Sequence, residues 1–160
     1  MQNCPKKKCL ISALAVFVFM SLYEHFFHGC PWMVNMYQQT AALWRTPEAM
    51  KEMMPWFIGK DVILALIFTC LYKKFAMAYM SDAGTCSATG EKKACCPIQR
   101  GLCFGMKIGL LLGTLQGSAY AYMPIPLDLA IAWFVGGVVE GLGIGLVLSL
   151  ICNKKECDKA

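Results

Sequence analysis

Residues 101–121 read GLCFGMKIGLLLGTLQGSAYA, and small residues recur there at every fourth position: Gly101, Gly105, Gly109, Gly113, Gly117 and Ala121. Residues 137–149, GVVEGLGIGLVLS, repeat the spacing with Gly137, Gly141, Gly145 and Ser149. In a water-exposed helix each glycine costs about 1 kcal/mol relative to alanine, so such a row is costly in water. In lipid, small residues four apart let two helix backbones approach closely. The pattern therefore predicts two membrane helices in tight contact.

The chain has 160 residues, 58% of them hydrophobic, and its apolar residues come in long blocks. A helix needs about 20 residues to cross a hydrocarbon core of about 30 Å. We predict one all-α domain, residues 1–160, with spans at 9–29, 56–72, 102–123 and 127–152. The short turn before Leu127 makes the last two spans an antiparallel hairpin. Its predicted glycine zipper comprises Gly105, Gly109, Gly113, Gly117, Gly137, Gly141 and Gly145.

The basic residues predict the orientation of this multi-pass protein. With both termini cytoplasmic, the outer side carries only Arg45, Lys51 and Lys60, and the inner side carries lysines and one arginine in 6–8, 73–100 and 154–159. Positive residues accumulate in cytoplasmic loops, so this orientation in a bacterial inner membrane is the expected one. It also accounts for the net charge of +5 without a nucleic-acid partner.

Two connections between spans differ in character. Residues 32–54 are predicted to form an interfacial helical segment, because apolar and aromatic residues share one helical face: Met33, Met36, Tyr37, Thr40, Leu43 and Trp44. A second short helix is predicted to begin at Thr46-Pro47-Glu48, with threonine as N-cap and proline in the first turn. Residues 81–100 are polar and contain glycine and proline, which predicts a cytoplasmic loop.

We single out three intramembrane polar residues: Asp61, Lys107 and Glu140. A charge at mid-bilayer costs at least about 2.5 kcal/mol, so Glu140 is expected to face protein or water, or to be protonated. Depth-matching puts Lys107 within about one turn of it, which suggests an ion pair. The helical wheel argues against that pair, because Lys107 projects away from the glycine row. The alternative is a neutral Glu140 bonded to a neighbouring helix, such as the first.

Potential metal ligands occur on both sides of the membrane. Glu24, His25 and His28 cluster at the outer end of the first span, with Asp61 expected at a similar depth, and Cys95 and Cys96 lie in the inner loop. Together with outer methionines these residue types suit Cu or Zn. The alternative interpretation is that they are ordinary polar residues at a helix end and adaptable packing side chains. Our leading prediction includes no cofactor, with Cu or Zn as the alternative.

Residues 37–45, YQQTAALWR, follow His28-Gly29 and precede Met54-Pro55. Together with the later outer turn Pro124-Ile125-Pro126, this pattern resembles small bacterial four-span inner-membrane proteins of unknown function. The resemblance implies no activity and no site residue, and the cysteine-containing inner loop departs from it.

The sequence lacks a phosphate-binding glycine loop, a nucleophile elbow and a paired-carboxylate motif, so we predict no enzyme. The leading prediction is a packing or accessory component that self-associates or joins a larger membrane complex. The first alternative is transport or sequestration of a soft metal or other cation. The second is proton-coupled transport of a small solute, centred on Glu140.

Overall fold

The computed structural model describes residues 6–81 and 97–152, and this part of the chain is all-helical. Six α-helices follow one another: α1 (Lys6–Gly29), α2 (Pro31–Gln39), α3 (Pro47–Glu52), α4 (Met54–Ser81), α5 (Pro97–Gly117) and α6 (Leu127–Cys152). Short 3₁₀ turns occupy Ala41–Leu43 and Ser118–Ala121. The all-α class predicted from the sequence is confirmed.

Four of the helices are long and apolar enough to cross a membrane, at Cys9–Gly29, Met54–Ala76, Ile98–Ala121 and Leu127–Cys152. The first and last have the predicted bounds, whereas the second is longer at both ends and the third both begins and ends earlier. Pro97 explains the earlier start of α5, because proline is favoured in the first helical turn. Large apolar side chains such as Leu10, Phe26 and Leu150 are exposed, as expected for a multi-pass protein in contact with lipid.

The α5–α6 hairpin is the tightest contact between helices. A Cβ atom added to Gly105 would lie 2.6 Å from the Gly141 carbonyl oxygen, and one added to Gly109 would lie 2.6 Å from the Val138 carbonyl oxygen. From the other side, a Cβ on Gly137 would lie 2.6 Å from the Gly113 nitrogen. Backbone therefore lies against backbone along this contact, and a side chain at these positions has no room.

The remaining spans pack around this hairpin. α1 lies against both α4 and α6, while α4 touches α5 and α6 only lightly. One apolar cluster, which we call the inner core, takes residues from all four spans: Val16, Met20, Ala65, Phe68, Tyr72, Phe104, Ile108, Ile144 and Leu148. The inner core fills the bundle from its middle toward the C-terminal ends of α4 and α6.

The predicted interfacial segment, 32–54, is divided into α2, a 3₁₀ turn and α3. The break lies at Thr40, whose hydroxyl donates to the Met36 carbonyl at 3.0 Å and accepts from the Trp44 indole at 2.8 Å. The apolar face of α2 covers the end of the hairpin that carries its connecting turn, through Met33 and Met36, both buried.

The start of α3 agrees with the sequence prediction. Thr46 caps the helix by accepting a hydrogen bond from the Ala49 amide at 3.3 Å, and Pro47 opens the first turn. The loop predicted at 81–100 lies, apart from its two ends, outside the described residues, and its last four positions belong to α5.

Candidate functional site

One ammonium group, on α4, joins two carboxyl groups on α1 and α4, and a third carboxyl group, on α6, lies within their electrostatic range. We call Glu24, Lys60, Asp61 and Glu140 the carboxyl cluster. Lys60 Nζ lies 2.5 Å from Glu24 Oε1 and 3.1 Å from Asp61 Oδ1, so one cation joins the two acids. The Asp61 side chain is only 7% exposed, and Ser21 on α1 donates a hydrogen bond to its Oδ2 atom at 3.4 Å.

Glu140 is the deepest member of the carboxyl cluster. It stands thirteen residues after the start of α6, about 20 Å along the helix, and is 3% exposed. Within the described part of the chain, its Oε1 atom has no hydrogen-bond partner. Glu24, Lys60 and Asp61 lie within electrostatic range of it. These three residues belong to α1 and α4.

Lys107, the other partner considered from the sequence, faces a different helix. Its ammonium group lies 4.9 Å from the centre of the Phe75 ring on α4, which is a cation–π arrangement. Lys60, by contrast, lies within electrostatic range of Glu140. The described contacts do not include the ion pair between Glu140 and Lys107, and the alternative, a neutral Glu140 bonded to a neighbouring helix, stays a prediction, because Glu140 Oε1 has no hydrogen-bond partner among the described residues.

A second pair of glycines on α6 brings α1 close to Glu140. A Cβ on Gly136 would lie 2.5 Å from Phe27 Cζ, and one on Gly143 would collide with the Phe19 ring. Between these two rings, Tyr23 stacks on both neighbours and donates a hydrogen bond from its hydroxyl to the Gly136 carbonyl at 2.8 Å. Glu140 lies between the two glycines in sequence and shares their side of the helix.

The two histidines at the end of α1 have separate surroundings. His28 Nδ1 lies 2.5 Å from the Tyr37 hydroxyl, which also accepts a hydrogen bond from the Trp133 indole at 3.0 Å. Burial raises the pKa of Tyr37, although the Trp133 hydrogen bond acts in the opposite direction. Tyr37 thus keeps its proton at neutral pH and can donate it in a hydrogen bond to His28. His25 stands edge-on to Phe26.

The predicted metal ligands do not assemble in the part of the chain that is described. Glu24 is held by Lys60 and His28 by Tyr37. Within residues 6–81 and 97–152, no group of three or more His, Cys, Asp or Glu residues could hold a metal ion. Cys95 and Cys96 lie outside those ranges. The described geometry gives the Cu or Zn alternative no support.

Sequence reasoning identified the acids of the carboxyl cluster but not the side chains that organise them. Lys60 was assigned only to the outer basic residues, yet it joins Glu24 to Asp61. Tyr23 was not singled out. The available signal is the spacing of Phe19, Tyr23 and Phe27 at every fourth position, because the eight-residue separation of Phe19 and Phe27 spans nearly the same length of helix as the seven-residue separation of Gly136 and Gly143.

Comparison with known proteins adds no assignment to this geometry. No family model matches the chain, and neither a curated protein nor a solved structure matches it. The resemblance to bacterial four-span proteins stays a prediction. The carboxyl cluster is therefore interpreted from its own contacts.

Proposed function

We propose that the protein binds and releases a proton at Glu140 inside the membrane, as a proton-coupled transport protein does. One observation carries this proposal: a carboxyl group that is 3% exposed, with an unpartnered oxygen among the described residues, in the middle of an apolar helix. Ionisable residues inside membrane helices face protein or water and commonly serve proton relays.

The balance of charge in the carboxyl cluster favours a proton as its ligand. Glu24, Asp61 and Glu140 supply three carboxyl groups, whereas Lys60 supplies one ammonium group and already contacts the first two acids. A further ionised carboxylate at this depth would cost at least about 2.5 kcal/mol. A proton on one of the three acids removes that cost, and no additional ligand atoms are needed.

Access to the proposed proton site is better from the outer side. Glu24 and Lys60 are partly exposed, with 23% and 44% of their side chains accessible, and they lie near the outer ends of α1 and α4. On the other side of Glu140, Ile144 and Leu148 belong to the fully buried inner core. We propose that Glu140 exchanges protons with the outer side, and that passage to the inner side requires the inner core to open.

Infrared difference spectroscopy of the purified protein during a pH titration tests the proposal. We expect the wild-type protein to show a protonated-carboxyl band that changes with pH and that Glu140→Gln removes. Glu52→Gln, at an exposed acid on α3, is the matched control and should retain the band. A carboxyl band that is the same in Glu140→Gln and wild type would overturn the proposal, because the proton would then reside elsewhere.

We propose further that the α5–α6 contact is a glycine zipper. We also propose that α2 and α3 lie in the headgroup region on the outer side of the inner membrane. The close backbone approach at Gly105 and Gly109 supports the first statement. Exposed Trp32 at the start of α2 and Trp56 in the first turn of α4 support the second, since tryptophan favours the headgroup region. The distribution of lysine and arginine supports cytoplasmic termini in a bacterial inner membrane.

The accessory role predicted from the sequence depends on glycine surfaces that are free to meet a partner. In this structure the glycines of α5 and α6 face each other within the chain, and Gly136 and Gly143 face α1. These surfaces are thus occupied within one copy. Self-association and membership of a larger complex stay predictions, and the described contacts favour the proton-binding role.

A further inference from the structure

A groove of about 510 Å³ lies on the outer half of the molecule, between α2 and the first turns of α6. Phe27, in the last turn of α1, also lines it. Its lining includes the apolar side chains of Phe27, Ile131 and Val135. It also includes the polar side chains of Asn35, Gln39 and Asp128. The groove is separate from the carboxyl cluster.

Along α6 the lining changes from the charged Asp128 to the apolar Ile131 and Val135, and on α2 the apolar Trp32 and Met36 line the groove beside Asn35 and Gln39. Asp128 lies in the first turn of α6, and Val135 lies two turns further in, about 10 Å deeper. Asn35 and Gln39 are four residues apart and so share one face of α2. Ile131 and Val135 are about half exposed on a helix able to span the membrane, so the open side of the groove faces lipid.

This order matches that of a phospholipid molecule, with its headgroup outside and its acyl chain inside. Among the described residues that line the groove, Asp128 carries the one formal charge, which is negative. The amide groups of Asn35 and Gln39 can donate hydrogen bonds to phosphate oxygens. An ammonium headgroup complements Asp128 electrostatically, whereas an uncharged glycerol headgroup leaves the anionic phosphate uncompensated beside it.

We propose that this groove binds a phospholipid with an amine headgroup. The ammonium group lies at Asp128, the phosphate lies at the amides of Asn35 and Gln39, and one acyl chain runs along Ile131 and Val135. The site is independent of proton binding at Glu140, so we expect Glu140→Gln to retain the lipid as the wild type does.

Native mass spectrometry of the detergent-purified protein, with added phosphatidylethanolamine or phosphatidylglycerol, tests this inference. We expect the wild type to retain phosphatidylethanolamine in preference. Asp128→Asn should weaken that binding about fivefold, equivalent to about 1 kcal/mol for a partly exposed ion pair, and leave phosphatidylglycerol unchanged. Glu52→Gln, an exposed acid outside the groove, should behave as wild type.

A steric variant checks that the lipid sits in the groove. Ile131→Trp fills it and should reduce retention of both lipids, whereas Leu150→Trp, on the exposed surface at the far end of α6, should not. Helical circular dichroism shows whether each variant is folded. If Ile131→Trp is not folded, the Asp128→Asn variant tests the proposal, because that substitution changes the charge at a nearly constant side-chain volume. Equal retention of the two lipids by wild type, or unchanged phosphatidylethanolamine binding by Asp128→Asn, would overturn the proposal.

Discussion

Gly141→Ala is expected to lower the free energy of unfolding by about 1–3 kcal/mol, the range for overpacking a filled site. The added methyl group would collide with the Gly109 backbone on α5 and would lie 2.8 Å from the Gly105 carbonyl oxygen. Backbone atoms of a paired helix cannot rotate aside, so α5 and α6 must separate. Gly141→Leu should be worse, because it adds more atoms to the same space. Denaturation in mixed micelles, followed by circular dichroism, gives the measurement.

Gly59→Ala is the matched control for this substitution. Gly59 lies in α4, another spanning helix, and a Cβ atom added there meets nothing within 4 Å. Alanine favours the helical state by up to about 1 kcal/mol relative to glycine, so this variant should be as stable as wild type or slightly more stable. Equal effects of the Gly141 and Gly59 substitutions would show that the close α5–α6 contact does not exist in the protein.

Lys60→Met is expected to produce the second large loss of stability. It leaves Glu24 and Asp61 without their shared cation, and the Asp61 side chain is only 7% exposed. Removing one partner of a fully buried ion pair costs about 3–5 kcal/mol. Because 44% of the Lys60 side chain is accessible, solvent screening reduces the expected loss to about 1–3 kcal/mol. The same denaturation measurement applies.

A double variant separates the lost charge from lost packing. Lys60→Met combined with Asp61→Asn removes the uncompensated carboxylate and should recover most of the stability that Lys60→Met loses. Lys51→Met, on exposed α3, controls for the loss of one positive charge outside the carboxyl cluster and should be neutral. If Lys60→Met were as stable as Lys51→Met, the carboxyl cluster would not depend on Lys60.

The membrane helices and the α5–α6 contact could be predicted from the sequence because both signals are local. A span needs only a continuous apolar block, and glycines at every fourth position lie on one side of any helix. Since α5 and α6 are joined by a short turn, their glycine rows had a neighbouring partner. The exact ends of the helices could not be predicted from these local signals. α5 begins at Pro97, in residues whose polarity indicated a loop.

The surroundings of Glu140 could not be predicted in the same way. A helical wheel gives the direction of a side chain relative to its own helix, but it does not say which helix lies there. The surroundings of Glu140 depend on how α1 and α4 pack, and that in turn depends on Phe19 and Phe27 fitting against Gly143 and Gly136. Those contacts join residues more than a hundred positions apart, so only the folded chain reveals them.

The accessibility of nitroxide labels placed along α6 in lipid bilayers tests most directly whether this helix lies in the membrane. We predict that labels at exposed Val139, Leu146 and Leu150 collide with dissolved oxygen but not with a water-soluble nickel complex. Labels at Ile144 and Leu148, which are fully buried, should be protected from both reagents. Access of the nickel complex along the whole of α6 would contradict the account, because the helix would then lie in water and Glu140 would not be inside a membrane.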